Sequence, residues 1–116
     1  MDALLISDSL MSACPIDSIN LLKRSWQLKL LDVKCFPGAT TGQLIGGNGK
    51  IHNLMAEKSY GIIFLIAGAN DFNRNTADCP FEKSRMVAYE IRDLINQFLN
   101  EYASVKLIFA PIPMRL

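Results

Sequence analysis

Apolar runs and amphipathic stretches alternate along this chain in a regular order. Ala3 to Ile6 is a short uninterrupted apolar run, the pattern of a buried strand. Ser7-Asp8-Ser9 breaks it, and Pro15 opens a helical pattern with Asp17 in its first turn and Ile16, Ile19, Leu22 and Trp26 on one stripe. Lys29 to Phe36 predicts a second strand, stopped by Pro37-Gly38. Thr40 or Thr41 can cap a helical turn through Leu44 and Ile45; Gly46-Gly47-Asn48-Gly49 interrupts it, and Ile51 to Lys58 resumes as about two helical turns.

Tyr60 to Ala67, YGIIFLIA, is the most apolar run, and its continuous character fits a central parallel strand buried on both faces. Gly68 ends it. Asp78 and Pro80 start the longest helix, with a stripe of Val87, Ile91, Leu94, Ile95, Phe98 and Tyr102. Val105 to Ala110 is a fourth strand, closed by Pro111 and Pro113. Strands alternating with helices call for a parallel sheet with right-handed crossovers. The expected fold is a three-layer α/β/α, flavodoxin-like sheet in the order 2-1-3-4, one domain over residues 1–116 that lacks the last strand and helix of such a fold. Its fourth strand would then be an open edge, which predicts association into a homo-oligomer or a missing C-terminal segment.

Composition narrows the function classes. Half the residues are hydrophobic and the formal net charge is +1, so the chain offers no electrostatic reason to expect nucleic acid. Cys14, Cys35 and Cys79 form no CxxC or Cys/His pair, which argues against zinc and against a disulfide framework and predicts buried thiols. No apolar run approaches the roughly 20 residues that cross a bilayer, so no membrane is expected and a reducing, cytoplasmic setting is the default. GGNGK, Gly46 to Lys50, departs from the Walker phosphate loop, because Leu44 and Ile51 stand where glycine and Ser or Thr are needed. It reads as a flexible loop, and no cofactor or metal is called for.

In an open parallel sheet the working site lies outside the carboxyl ends of the strands. Ser7-Asp8-Ser9, Pro37-Gly38-Ala39-Thr40 and Gly68-Ala69-Asn70-Asp71 all fall at that edge. An exposed hydroxyl beside hydrogen-bond donors is what acyl transfer needs. These stretches carry a resemblance: ISDSL is similar to the first block of the SGNH or GDSL hydrolases, with Ser7 in place of the leading glycine, FPGAT resembles the second, and IAGANDF the third. The resemblance implies an esterase acting on small-molecule esters, with Ser9 as nucleophile and the Gly38 N–H and Asn70 side-chain amide joining the Ser9 N–H in an oxyanion hole. Asp8 and Asp71 would support the site. Relatives of this kind also include retroelement proteins and non-catalytic binding modules.

The family's general base is a histidine in a late Asp-x-x-His block, and this chain has no such block. His52, its one histidine, is the weak stand-in: twelve residues beyond Thr40, it would lie up to about 18 Å down an uninterrupted helix, outside proton-transfer reach. A structural role for His52 is the competing reading. Asp8 and Asp71 would be feeble bases for a hydroxyl, because an ordinary aspartate loses its proton at about pH 4; Asp8 also reads as a turn residue that satisfies backbone N–H groups. The expectation is therefore a weak or inactive esterase-like domain, or a binding or assembly module that keeps the pocket without the chemistry.

Overall fold

The four apolar runs become four parallel strands in a single sheet. The computed structural model describes residues 1–8 and 16–111. Its elements are β1 (Asp2–Ser7), α1 (Ile16–Ser25), β2 (Leu30–Cys35), α2 (Thr41–Ile45), α3 (Lys50–Glu57), β3 (Ile62–Ala67), α4 (Ala69–Arg74), α5 (Pro80–Glu101) and β4 (Lys106–Pro111). The order is β2-β1-β3-β4 with every pair parallel, as the alternating pattern predicts. Register places Ser7 beside Cys35 and Ile66, and Ala67 beside Pro111, so the strand ends form one rim.

Alternation along the central strands sends side chains to both faces. Leu4, Ile6, Ile63 and Leu65 pack with Leu44, Ile51 and Phe98 from α2, α3 and α5. Ala3, Leu5, Ile62 and Phe64 point the other way, against Leu22 of α1 and Leu28. Helices therefore cover both faces of an α/β sheet. Trp26, the last residue of the predicted stripe, is 39% exposed and meets Phe64 edge-on, with ring centroids 5.6 Å apart.

The glycine loop between α2 and α3 owes two of its three glycines to close packing. A Cβ on Gly46 would stand 2.4 Å from Gly42 O, and one on Gly49 would stand 2.6 Å from Leu44 O. Gly47, between them, faces open space.

Two sequence expectations need correction. Gly68 to Asp71 is more than a turn: it opens the six-residue helix α4, whose polar sequence ANDFNR carries no apolar stripe for pattern reading to detect. The thiols are also less buried than expected, with Cys35 intermediate and Cys79 exposed, while Cys14 lies outside the described residues. Pro80 starts α5, which leaves Cys79 as its N-cap; the backbone N–H groups of Glu82 and Phe81 stabilise the thiolate and lower its pKa. Among the described residues, no helix is long and apolar enough to cross a membrane, and no cluster of His, Cys, Asp and Glu could hold a metal ion.

Candidate functional site

The rim is built by side chains that reach from one strand's loop to another's. Asp8, directly after β1, is 1% exposed. Its Oδ2 accepts the Gly68 N–H at 3.2 Å, and among the described residues its Oδ1 has no hydrogen-bond partner. Burial raises its pKa, and the nearby charge of Asp71 adds to the rise, against opposing N–H groups of Gly68 and Asn70. Asp8 thus ties β1 to the start of α4, sixty residues away.

Asp71 does the same for the second loop. Its carboxylate accepts the Thr41 N–H at 2.9 and 3.1 Å and the Thr41 hydroxyl at 2.9 Å, which satisfies donors at the first turn of α2. Thr40 completes that turn with a capping box: its Oγ1 accepts from Gln43 N and its own N–H donates to Gln43 Oε1. Arg74, one turn beyond Asn70 on α4, donates from Nη2 to Gly38 O at 2.9 Å.

The donors assigned from the sequence, Gly38 and Asn70, come together on a single oxygen. The Gly38 N–H donates to the Asp8 carbonyl at 3.1 Å, and Asn70 Nδ2 donates to the same carbonyl at 3.2 Å. The second Asn70 Nδ2 proton goes to Ala39 O at 3.0 Å. Gly38 reaches this position with φ +82°, a left-handed conformation in which a side chain would be strained although nothing lies within 4 Å of its Cβ position. Two N–H donors from different loops thus aim at one point, and in this conformation the oxygen at that point belongs to the backbone. Ser9, the residue after Asp8, lies outside the described residues.

His52 is occupied elsewhere. Its Nε2 is 2.6 Å from Gly46 O and its Nδ1 is 2.9 Å from the Tyr102 hydroxyl. A carbonyl only accepts, so Nε2 donates to Gly46 O, and Nδ1 pairs with the Tyr102 hydroxyl. Glu101 Oε1 stands 3.9 Å from Nδ1, and the imidazole lies tilted against the Tyr102 ring. Both nitrogens join the turn after α2 to the end of α5. Neither has a bond to a rim residue among the described residues.

Two concavities flank the rim. One, of about 480 Å³, lies between α4, α5 and β4 and is walled by Phe72, Val87, Ile91, Ile95 and Phe109, with Gly68 at its edge. The other, of about 650 Å³, opens beside Gly38 and mixes apolar walls such as Phe36 and Pro37 with the polar and basic side chains of Gln43, Asn48, Lys50 and Arg74.

Thr41 and Arg74 were missed in the sequence. For Arg74 a signal existed: once Asn70 is placed on a helix, the residue four further on shares its face. The bond from Thr41 to Asp71 joins residues thirty apart and leaves no local trace. No protein-family model matches the chain, and no curated protein matches it closely enough to count as a relative.

Proposed function

We propose that the rim is the site of a serine ester hydrolase of the SGNH type, carried on a flavodoxin-like frame, and that this chain turns over slowly. One observation carries the reading: Gly38 N and Asn70 Nδ2 converge on one oxygen in the residue that precedes Ser9. The strand order and the placement of three loops at one sheet edge support it. In the reaction, Ser9 Oγ adds to the carbonyl carbon of an ester and gives its proton to a base. The carbonyl oxygen becomes an oxyanion held by Gly38, Asn70 and the Ser9 N–H. The alcohol leaves as it takes up a proton, and water then releases the acid from the acyl-serine.

Slowness follows from two features of the geometry. The donors already hold the Asp8 carbonyl, which must withdraw before a substrate oxygen takes its place. The sole imidazole of the 116 residues is bonded to Gly46 and Tyr102. In serine hydrolases that lose a triad member, the oxyanion hole and substrate binding still leave about 10³ to 10⁴-fold acceleration over water. The competing reading, a non-catalytic binding or assembly module, is favoured by the same occupied donors.

A fluorophosphonate probe separates the two. Under the hydrolase reading it labels the wild-type protein slowly and at Ser9, and Ser9→Ala abolishes labelling. An unlabelled wild-type protein that binds its ligand normally would leave only the module. Labelling that persists in Ser9→Ala would assign the chemistry to another residue.

A further inference from the structure

The geometry points to an anion-binding subsite in the cleft beside Gly38, which takes a phosphate or carboxylate group of the ligand. The cleft has a volume of about 650 Å³ and is lined by Phe36, Gly38, Gln43, Asn48, Lys50 and Arg74, among others. Two of its lining residues are cations, and none of them is a carboxylate. Among the described residues neither Lys50 nor Arg74 is ion-paired: the salt bridges there join Lys58 to Asp32, Arg85 to Glu82 and Arg92 to Asp93, and Glu101 stands beside His52. Arg74 also borders a neighbouring cleft that contains Asp71 and Glu90, and among the described residues neither carboxylate forms a salt bridge with it.

The donors left over suit an oxyanion. Arg74 has five N–H groups, and one hydrogen bond, from Nη2 to Gly38 O, is seen among the described residues. Lys50 Nζ stands 6.0 Å from the centre of the Phe36 ring, which also lines the cleft. Asn48 and Gln43 add side-chain amides. Lys50 is also the first residue of α3, so the positive end of that helix adds to the field. Asn48 and Lys50 belong to the GGNGK stretch. Gly46 and Gly49 are required by packing, and Asn48 and Lys50 line a basic cleft.

Gly38 lines the cleft and also supplies a donor at the rim, so an anion seated here is part of the molecule presented to Ser9. That last step rests on the hydrolase reading and narrows it to esters that bear an anionic group. The binding itself does not depend on that reading.

The test is titration of inorganic phosphate, and separately of acetate, into the wild-type, Ser9→Ala and Lys50→Gln proteins, followed by amide NMR shifts. Saturable shifts at Gly38, Asn48 and Lys50, retained in Ser9→Ala and weakened at least tenfold in Lys50→Gln with rescue by Lys50→Arg, support the subsite. The stronger of the two ions identifies which anion it prefers. Shifts that fail to saturate, that spread evenly over exposed lysines, or that are unchanged in Lys50→Gln would overturn it. Saturable binding of either ion without fluorophosphonate labelling would keep the subsite and remove the hydrolase; labelling without binding of either ion would do the reverse.

Discussion

The rim and the surroundings of His52 hold similar polar groups and use them in opposite ways. At the rim, Asp8, Asn70, Asp71 and Arg74 bind backbone groups of loops that follow different strands. Around His52, the imidazole joins the turn after α2 to the C-terminal end of α5, within one helical layer. The first arrangement gathers donors at a point where a reacting atom could sit. The second consumes both nitrogens of the one side chain best suited to move a proton near neutral pH. Chemical capability here depends on which atoms remain unengaged, and an inventory of residue types does not report that.

The comparison breaks most visibly at Asp71. Asp71→Ala removes three hydrogen bonds to Thr41, two of them from its N–H and one from its hydroxyl. A loss of about 3 kcal/mol in urea unfolding is expected, in the range for bonds to a charged acceptor. A loss near zero would mean that the loops hold their places without this tether.

Asn70→Ala is expected to cost about 2 kcal/mol, because Ala39 O and Asp8 O each lose a donor. Its effect on chemistry is more informative. Under the hydrolase reading the rate of fluorophosphonate labelling falls about 100-fold or more, as for the loss of one oxyanion donor. An unchanged rate with reduced stability would make Asn70 a strut alone.

His52→Gln sharpens the contrast from the other side. It should cost about 1 kcal/mol, since Gly46 O or Tyr102 loses a partner, and should leave labelling of Ser9 unchanged. A labelling rate that collapses in this variant would return His52 to the mechanism.

The smallest expected effect is a slope against pH. Burial raises the Asp8 pKa above the ordinary 3.8. A carboxyl raised on folding contributes stability that is complete below 3.8 and is lost as pH rises through the folded value, because the unfolded chain ionises first. The stability of wild type relative to Asp8→Asn should therefore decline with rising pH across that window, measured from urea midpoints. A relative stability that rises instead would show that the N–H groups of Gly68 and Asn70 outweigh burial.

The sheet was legible because strands buried on both faces read as continuous apolar runs, and IIFLIA in β3 is the clearest case. The longest helix was legible from its stripe, of which Val87, Ile91 and Phe98 are buried. Helix α4 was not, because its six residues are held by polar bonds to distant loops and have no apolar face to reveal them. The site divides in the same way. Topology alone brings the loops of Asp8, Gly38 and Asn70 to one edge. That Gly38 and Asn70 share one acceptor, and that Asp8 reaches Gly68, are facts of three-dimensional placement between residues thirty to sixty-two apart.

The uneven room at the three glycines between α2 and α3 has a practical use. Gly46 and Gly49 admit no side chain, but Gly47 is exposed, faces open space and adjoins Asn48 at the mouth of the basic cleft. A cysteine placed there could carry an environment-sensitive fluorophore, so that occupancy is read optically, in real time, without any need for turnover.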